Sequence, residues 1–207
     1  VNMPEVVLAT RNAHKVPEIS RILASAGVPV ELVAVTEFPG VEDVEETGLT
    51  FAENALLKAR AVAAATGLPA LADDSGLSVD ALGGMPGVFS ARWAGVHGDD
   101  GANLRLVLAQ LTTVPDDHRH AAFVCVAALA LPDGTAWTEE GRVDGVVVRA
   151  PRGSNGFGYD PIFVPDGSDR TTAELRPEEK DAISHRGQAF RAIAPHLAAL
   201  PAFRGPS

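Results

Sequence analysis

Apolar positions along the chain fall into short solid runs that alternate with helix-period stripes. Val6 to Ala9 is a solid apolar run, the pattern of a buried strand. After Thr10-Arg11-Asn12-Ala13-His14-Lys15, residues Ile19, Ile22, Leu23 and Ala26 recur at i, i+3, i+4 and i+7 and predict a helix. Pro17 lies in its first turn, and Gly27 and Pro29 end it. Glu31 to Val35 reads as a second strand. Thr50-Phe51-Ala52-Glu53 is a capping box that opens a helix running through about Ala65. Its stripe is Phe51, Ala55 and Val62 with Leu56, Ala59 and Ala63. Leu68 to Ala72 is a buried strand that delivers Asp73-Asp74-Ser75-Gly76 to a turn, and Leu77 to Asp80 is the next pairing segment. Gly83 to Gly87 is rich in turn residues. Asn103 to Leu111 reads as a helix with Leu104, Val107, Leu108 and Leu111 inward. Ala121 to Leu131 and Ala136 to Arg149 are long strands joined at Pro132-Asp133-Gly134, a hairpin signal. Gly153 to Asp160 is a glycine-rich loop, Pro177 starts a short helix, and Gly187 to Leu200 forms the last one. Pro201 to Ser207 is expected to fray.

Early alternation of strand and helix with a long hairpin in the middle predicts an α/β fold with a mixed sheet and flanking helices. There is no internal repeat and no low-complexity linker, so residues 1–207 are expected to form one domain. The single cysteine, Cys125, lies inside an apolar run and reads as a small core residue. Intrachain disulfides are excluded, which fits a reducing compartment. No run approaches the ~20 apolar residues of a membrane span, and no secretory leader is visible; a cytoplasmic location is the expectation.

Charge narrows the partners. A formal net charge of −10 argues against a nucleic-acid polymer, which needs a basic footprint. It leaves room for a small anion brought in with a metal ion, because hard cations favour acidic clusters. Of the 17 basic residues only three are lysines, Lys15, Lys58 and Lys180. Arginine serves for generic charge elsewhere, so a lysine either marks a place where a compact ammonium suits better than a planar fork or stands there by chance.

Five segments carry candidate chemistry. Thr10 to Lys15 sits between a strand and a helix, where free amides and the positive helix end favour an anion; an ordinary βα turn is the alternative. Asp73-Asp74-Ser75-Gly76 sets two carboxylates side by side, which repel unless a cation joins them. Either Mg²⁺ binds there or the segment is a solvated Asx turn closed by Gly76. Between Thr36 and Leu57 there are six acids and no base. In that run Glu45-Glu46-Thr47-Gly48 by itself reads as a solvated charged face; Lys58 on the next helix shifts the balance slightly toward a site, and Glu53 has its structural role as a cap. In Asn155-Gly156-Phe157-Gly158-Tyr159-Asp160, glycines bracket an aromatic ring that either faces a flat ligand, where stacking contributes ~1–3 kcal/mol, or turns into the core. Lys180 and Ser184-His185-Arg186-Gly187 bring cations to the start of the last helix; the alternative for His185 is an ordinary surface or cap-adjacent histidine.

These stretches, VVLATRNAHK, EETGLTFAENALLKA, ADDSGLSVDALGGMPGVFSARWAG, GFGYDPIF and EEKDAISHRGQA, follow in order from residue 6 to residue 189. Together they resemble the inosine triphosphate pyrophosphatases, also called XTP/dITP diphosphatases. The resemblance implies an elongated α/β fold of two lobes around a deep central cleft. It implies a Mg²⁺-dependent homodimer that hydrolyses ITP, dITP and XTP to the monophosphate and pyrophosphate, sparing ATP and GTP. By matching position, Asp74 is the expected proton acceptor and metal ligand, Glu46 the second metal carboxylate, and Lys58 a catalytic lysine near the phosphates. Thr10, Arg11, Asn12, Ala13, His14, Lys15, Ser75, Phe157, Gly158, Tyr159, Asp160, Lys180, His185 and Arg186 fall on substrate-binding positions. Arg11 departs from the pattern, since members often carry glycine or asparagine there; its side chain either adds a phosphate contact or points to solvent.

On this reading water attacks a phosphorus of the triphosphate and pyrophosphate leaves. Glu46 and Asp74 hold Mg²⁺, Asp73 is either a further ligand or a brace for the turn, and the three lysines stabilise developing charge. A metal-bound carboxylate is a weak base, so the role of Asp74 as base rests on the resemblance. Phe157 is the stacking candidate, with His185 and Arg186 donating to a 6-keto oxygen. Adenine, with a 6-amino group, would leave those donors facing a donor; guanine shares the 6-keto group, so its rejection has another cause. Two other classes fit parts of the sequence: a purine-nucleotide-binding sensor without hydrolysis, and a Mg²⁺ phosphomonoesterase. The clustered carboxylates argue against the sensor, and product identity separates all three. Removal of deaminated purines from the nucleotide pool follows from the family reading alone.

Overall fold

The structure, a computed structural model, describes residues 5–12 and 15–200. Seven strands form one mixed sheet: β1 (Glu5–Leu8), β2 (Glu31–Ala34), β3 (Ala70–Val79), β4 (Met85–Pro86), β5 (His120–Ala130), β6 (Ala136–Val147) and β7 (Phe163–Pro165). Their order is β2-β1-β3-β5-β6-β7, with β4 on β3. β1 runs parallel to β2 and β3, while β4 on β3 and β7 on β6 are antiparallel. Five helices accompany the sheet: α1 (Lys15–Ser25), α2 (Phe51–Thr66), α3 (Asp100–Gln110), α4 (Pro177–Ile183) and α5 (His185–Ala198). No helix among the described residues is long and apolar enough to cross a membrane. The α/β class with a mixed sheet is as the hydrophobic pattern predicts.

The chain divides into two compact units, one of Val1–Asp74, Cys125–Gly141 and Arg186–Ser207, the other of Ser75–Val124 and Arg142–His185. In the first unit the strand period of two sorts the core. Val6, Leu8 and Leu71 pack with Ile19, Ile22 and Leu23 of α1 and Phe190, Ile193 and Leu197 of α5. Their neighbours Val7, Ala70 and Ala72 point to the other face and meet Ala55, Ala59, Val62 and Ala63 of α2. The helix α2 forms where its capping box requires: Thr50 Oγ1 accepts from Glu53 N at 3.2 Å, and Glu53 Oε2 accepts from Thr50 N at 3.1 Å.

In the second unit Leu77, Val79, Phe123, Val147 and Phe163 pack with Leu104, Val107 and Leu111 of α3. The rings of Phe123 and Phe163 meet at 4.5 Å, tilted by 60°. Arg119 is buried in this unit. It donates from Nε to Val147 O at 2.7 Å, from Nη1 to Leu111 O at 2.7 Å and from Nη2 to Val148 O at 3.1 Å. One guanidinium thus satisfies carbonyls at the end of α3 and the end of β6.

Four features differ from the sequence reading. β3 passes unbroken through Asp73-Asp74-Ser75-Gly76, where a turn was expected. The turn signal of Asp, Ser and Gly is outweighed here by pairing and burial along the strand. α3 begins at Asp100 rather than Asn103, because Asp99 caps it and accepts from Ala102 N at 2.9 Å. α5 begins at His185, two residues earlier than expected. β4 and β7, of two and three residues, are too short to show a period. The expected fraying of Pro201 to Ser207 concerns positions outside the described residues.

Replacing Arg119 by Met keeps the volume but strands three carbonyls. The expected loss is about 2–5 kcal/mol in urea unfolding, with the far-ultraviolet spectrum of the folded state unchanged.

Candidate active site

The strand β3 determines what the paired aspartates can do. Successive side chains on a strand point to opposite faces, so Asp73 continues the row of Leu71 and Asp74 the row of Ala72. Both carboxylates belong to the first unit, and they end in different surroundings.

Asp73 enters the side of the core formed by α1 and α5, where its side chain is 1% exposed. Lys15 Nζ donates to its Oδ1 at 2.8 Å and to its Oδ2 at 3.0 Å. Arg186 Nε donates to Oδ2 at 3.2 Å, and Arg186 Nη1 reaches both Glu18 oxygens at 3.1 Å. Two acids and two bases thus close a buried, charge-balanced chain. Burial opposes the charge on Asp73, but Lys15, Arg186 and Lys58 outweigh it and hold the carboxyl well below the usual range. Burial likewise opposes the charge on Arg186, and Asp73 and Glu18 outweigh it. Cys125 is fully buried with its Sγ 3.8 Å from Asp73 Oδ2; burial and then the Asp73 charge push its thiol pKa up. It is the core residue the sequence predicts. Asp73 is therefore an internal counterion of this network.

Asp74 faces α2. Its Oδ2 accepts from Asn54 Nδ2 at 3.0 Å, and Asn54 Oδ1 accepts from Gly48 N at 2.8 Å. Buried Asn54 thereby ties the acidic loop to the carboxylate. A Cβ at Gly48 would sit 2.6 Å from Asn54 Oδ1, so the close approach needs glycine. On the next turn of α2, Lys58 Nζ donates to Glu46 Oε1 at 2.6 Å, with both side chains largely covered at 15% and 20% exposure. Burial raises the Asp74 pKa; Lys58 works against the rise, and Glu46 and Asp73 add to it. Burial lowers the Lys58 pKa, but Asp74, Asp73 and Glu46 outweigh it and the ammonium is stabilised.

Among the described residues no three His, Cys, Asp or Glu side chains converge as a metal cage. Glu46 and Asp74 are instead a pair of hard oxygen donors that repel one another. That is the donor set of a cation such as Mg²⁺, which takes one or two protein carboxylates and completes its shell with phosphate oxygens and water.

At the end of β1, Thr10 Oγ1 accepts from Asn12 N at 3.1 Å. Arg11, half exposed, donates to Asp43 Oδ1 and Val41 O, both at 3.2 Å. Ala13 and His14 lie outside the described residues.

The second unit holds Ser75, the glycine-rich loop, Lys180 and His185. Asp160 is buried at its centre. Its Oδ2 accepts from Lys180 Nζ at 2.6 Å and Phe157 N at 2.8 Å, and its Oδ1 from Thr172 Oγ1 at 2.7 Å. A Cβ at Gly156 would overlap Asp160 Oδ2 at 2.0 Å, and its φ of +74° also favours glycine. Lys180 Nζ lies 5.3 Å from the centre of the Phe157 ring, which is half-buried. Tyr159 is buried, donates from its hydroxyl to Ser90 O at 2.8 Å, and has its pKa pushed up by burial and then Asp100. His185 is buried and stacks on Phe123 at 4.8 Å with 13° between planes.

Each of the three lysines stands on a carboxylate: Lys15 on Asp73, Lys58 on Glu46 and Lys180 on Asp160. Their side chains are 14%, 15% and 10% exposed, so none is a solvated surface group. Sequence reasoning missed Glu18, although an acid four residues before Ile22 on an apolar stripe was a signal. It also missed Thr172 and Asp100, which no local pattern marks.

Lysines poised on carboxylates and an aromatic held between glycines define an α/β protein suited to a phosphorylated ligand. The chain belongs to the Ham1 family, whose profile matches residues 6–196. A dITP/XTP pyrophosphatase of Streptomyces coelicolor is 62% identical over 193 residues, spanning 93% of this chain and 96% of its own. Two solved structures are similar as well. The Mycobacterium abscessus nucleoside-triphosphatase / dITP/XTP pyrophosphatase is 56% identical with a TM-score of 0.74, covering 93% of this chain and 98% of that one. A HAM1 protein from Coxiella burnetii is 46% identical with a TM-score of 0.85, covering 96% and 100%.

The buried network makes a pH prediction for the metal-free protein. Because the folded pKa of Asp73 is depressed, its stabilisation is complete above the unfolded value of about 4 and is lost as the pH falls toward the folded value. Asp73→Asn is expected to cost about 3–5 kcal/mol from pH 5 to 8. In urea titrations with EDTA, the gap between wild type and variant should narrow below about pH 4.

Proposed function

We propose that this protein is a nucleoside triphosphate pyrophosphatase that hydrolyses dITP, XTP and ITP to the monophosphate and pyrophosphate. The observation that carries this reading is the near full-length likeness to proteins named for the dITP/XTP reaction. The arrangement around Asp74 supports it.

Glu46 and Asp74 would hold Mg²⁺, which when bound supplies charge to a phosphate oxygen and lowers the barrier to attack. The protein's own groups do the rest. Lys58, kept cationic by its carboxylate neighbours, stabilises charge on the phosphates, together with Lys15 at the start of α1. By their place in the sequence Thr10, Arg11, Asn12, Ala13 and His14, and Ser75 after the aspartate pair, are assigned to the phosphates. Asp74 orients the attacking water and accepts its proton. That role for Asp74 rests on the family likeness, and the pyrophosphate leaves opposite the attack.

Recognition of the purine is assigned to the glycine-rich loop and to the cations near α5. Phe157 stacks on the base, Lys180 steadies the ring, and Tyr159 and Asp160 act by shaping the loop around Gly158. By the family likeness alone, His185 and Arg186 are assigned to the 6-keto oxygen that hypoxanthine and xanthine share. The same reading carries a cytoplasmic homodimer of single-domain chains acting on free nucleotides.

Incubation with Mg²⁺ and dITP, XTP, ITP, GTP or ATP in turn should release pyrophosphate in step with monophosphate, and fastest from the first three. Orthophosphate as the product would contradict the reading, as would no product at all. Asp74→Asn should lower turnover at least ~100-fold with the fold retained by circular dichroism; near-normal turnover would remove Asp74 from its role.

A further inference from the structure

The loop that carries Phe157 is anchored from outside itself. Two consecutive amides in it end on carboxylates. Phe157 N donates to Asp160 within the loop at 2.8 Å, and Gly158 N donates to Asp100 Oδ2 at 2.8 Å across 58 residues of chain. Asp100 stands in the first turn of α3, a helix fixed to the second unit's core through Leu104 and Val107. A carboxylate acceptor makes this bond charge-assisted, and such bonds are stronger than neutral ones. The glycines at 156 and 158 have φ of +74° and +63°, conformations that leave the free loop many alternatives.

We propose that Asp100 is a positioning residue for purine recognition. Through Gly158 N it holds the loop in the conformation that presents the Phe157 ring to a base. The inference rests on the nucleotide reading above and extends it to a residue outside the substrate-binding stretches. Without the anchor the loop must be ordered at the moment of binding, and base affinity bears that cost. The phosphate contacts assigned to Lys15 and Lys58 do not depend on Asp100, so its replacement separates the two ends of the substrate.

The test uses the full chain as Asp100→Ala and Asp100→Asn, the second of which keeps an acceptor oxygen for Gly158 N. Calorimetric titration with IMP and, separately, with pyrophosphate reads the two ends, and steady-state hydrolysis of XTP reads KM against kcat. Asp100→Ala should weaken IMP binding and raise the XTP KM about tenfold, the effect of one lost hydrogen bond to a charged group. Pyrophosphate affinity should stay within about twofold of wild type, kcat should fall less than KM rises, and Asp100→Asn should recover most of the loss. IMP affinity unchanged in Asp100→Ala would overturn the proposal. So would an equal loss for pyrophosphate, or an Asn variant no better than the Ala variant. A wild type that releases no pyrophosphate from XTP would instead overturn the functional reading on which this one rests.

Discussion

Side chains on a strand alternate between faces, and that geometric constraint sets the rest of this site. Asp73 and Asp74 are adjacent in β3, so the sheet must send them apart. An isolated pair of neighbouring carboxylates would suggest a shared ligand. Here one becomes a buried counterion for Lys15 and Arg186, and the other faces α2 with Asn54, near Glu46 and Lys58. The division of labour is a property of the backbone rather than of either residue.

The buried side of that division has consequences for stability and for chemistry. Removing charges from water is costly unless they are paired and hydrogen-bonded. Glu18, Arg186, Asp73 and Lys15 meet that condition with distances from 2.8 to 3.2 Å. Such a network rarely adds stability over apolar packing, but breaking it leaves a buried charge uncompensated. It locks the start of α1, the middle of β3 and the start of α5 into one arrangement within the first unit. The Lys180–Asp160 pair plays a similar part in the second unit, where it closes the loop around Phe157. In both places the polar core positions side chains that the proposed reaction uses.

Much of the fold was legible because its signals are local. The capping box at Thr50, the stripe of α1 and the hairpin at Pro132-Asp133-Gly134 each depend on residues a few positions apart, and the elements follow them. The unusual lysines were legible too, since scarcity alone singled them out. The partners that explain them were not: Lys15 meets Asp73 across 58 residues and Arg186 meets Glu18 across 168. The turn expected at Asp73-Asp74-Ser75-Gly76 failed for the same reason. Its composition favours a turn, but pairing with distant chain and burial hold it extended. Long-range contact, rather than weak local preference, is what the linear pattern leaves out.

If β3 gives its two aspartates separate duties, binding of Mn²⁺ as a paramagnetic substitute for Mg²⁺ reports it without any turnover. Spin-resonance titration of wild type, Asp73→Asn and Asp74→Asn in the presence of pyrophosphate would report bound metal. Asp74→Asn should lose most of the affinity while its unfolding midpoint barely moves. Asp73→Asn should keep the metal and lose stability. The reverse pattern, or equal metal loss in both variants, would contradict it.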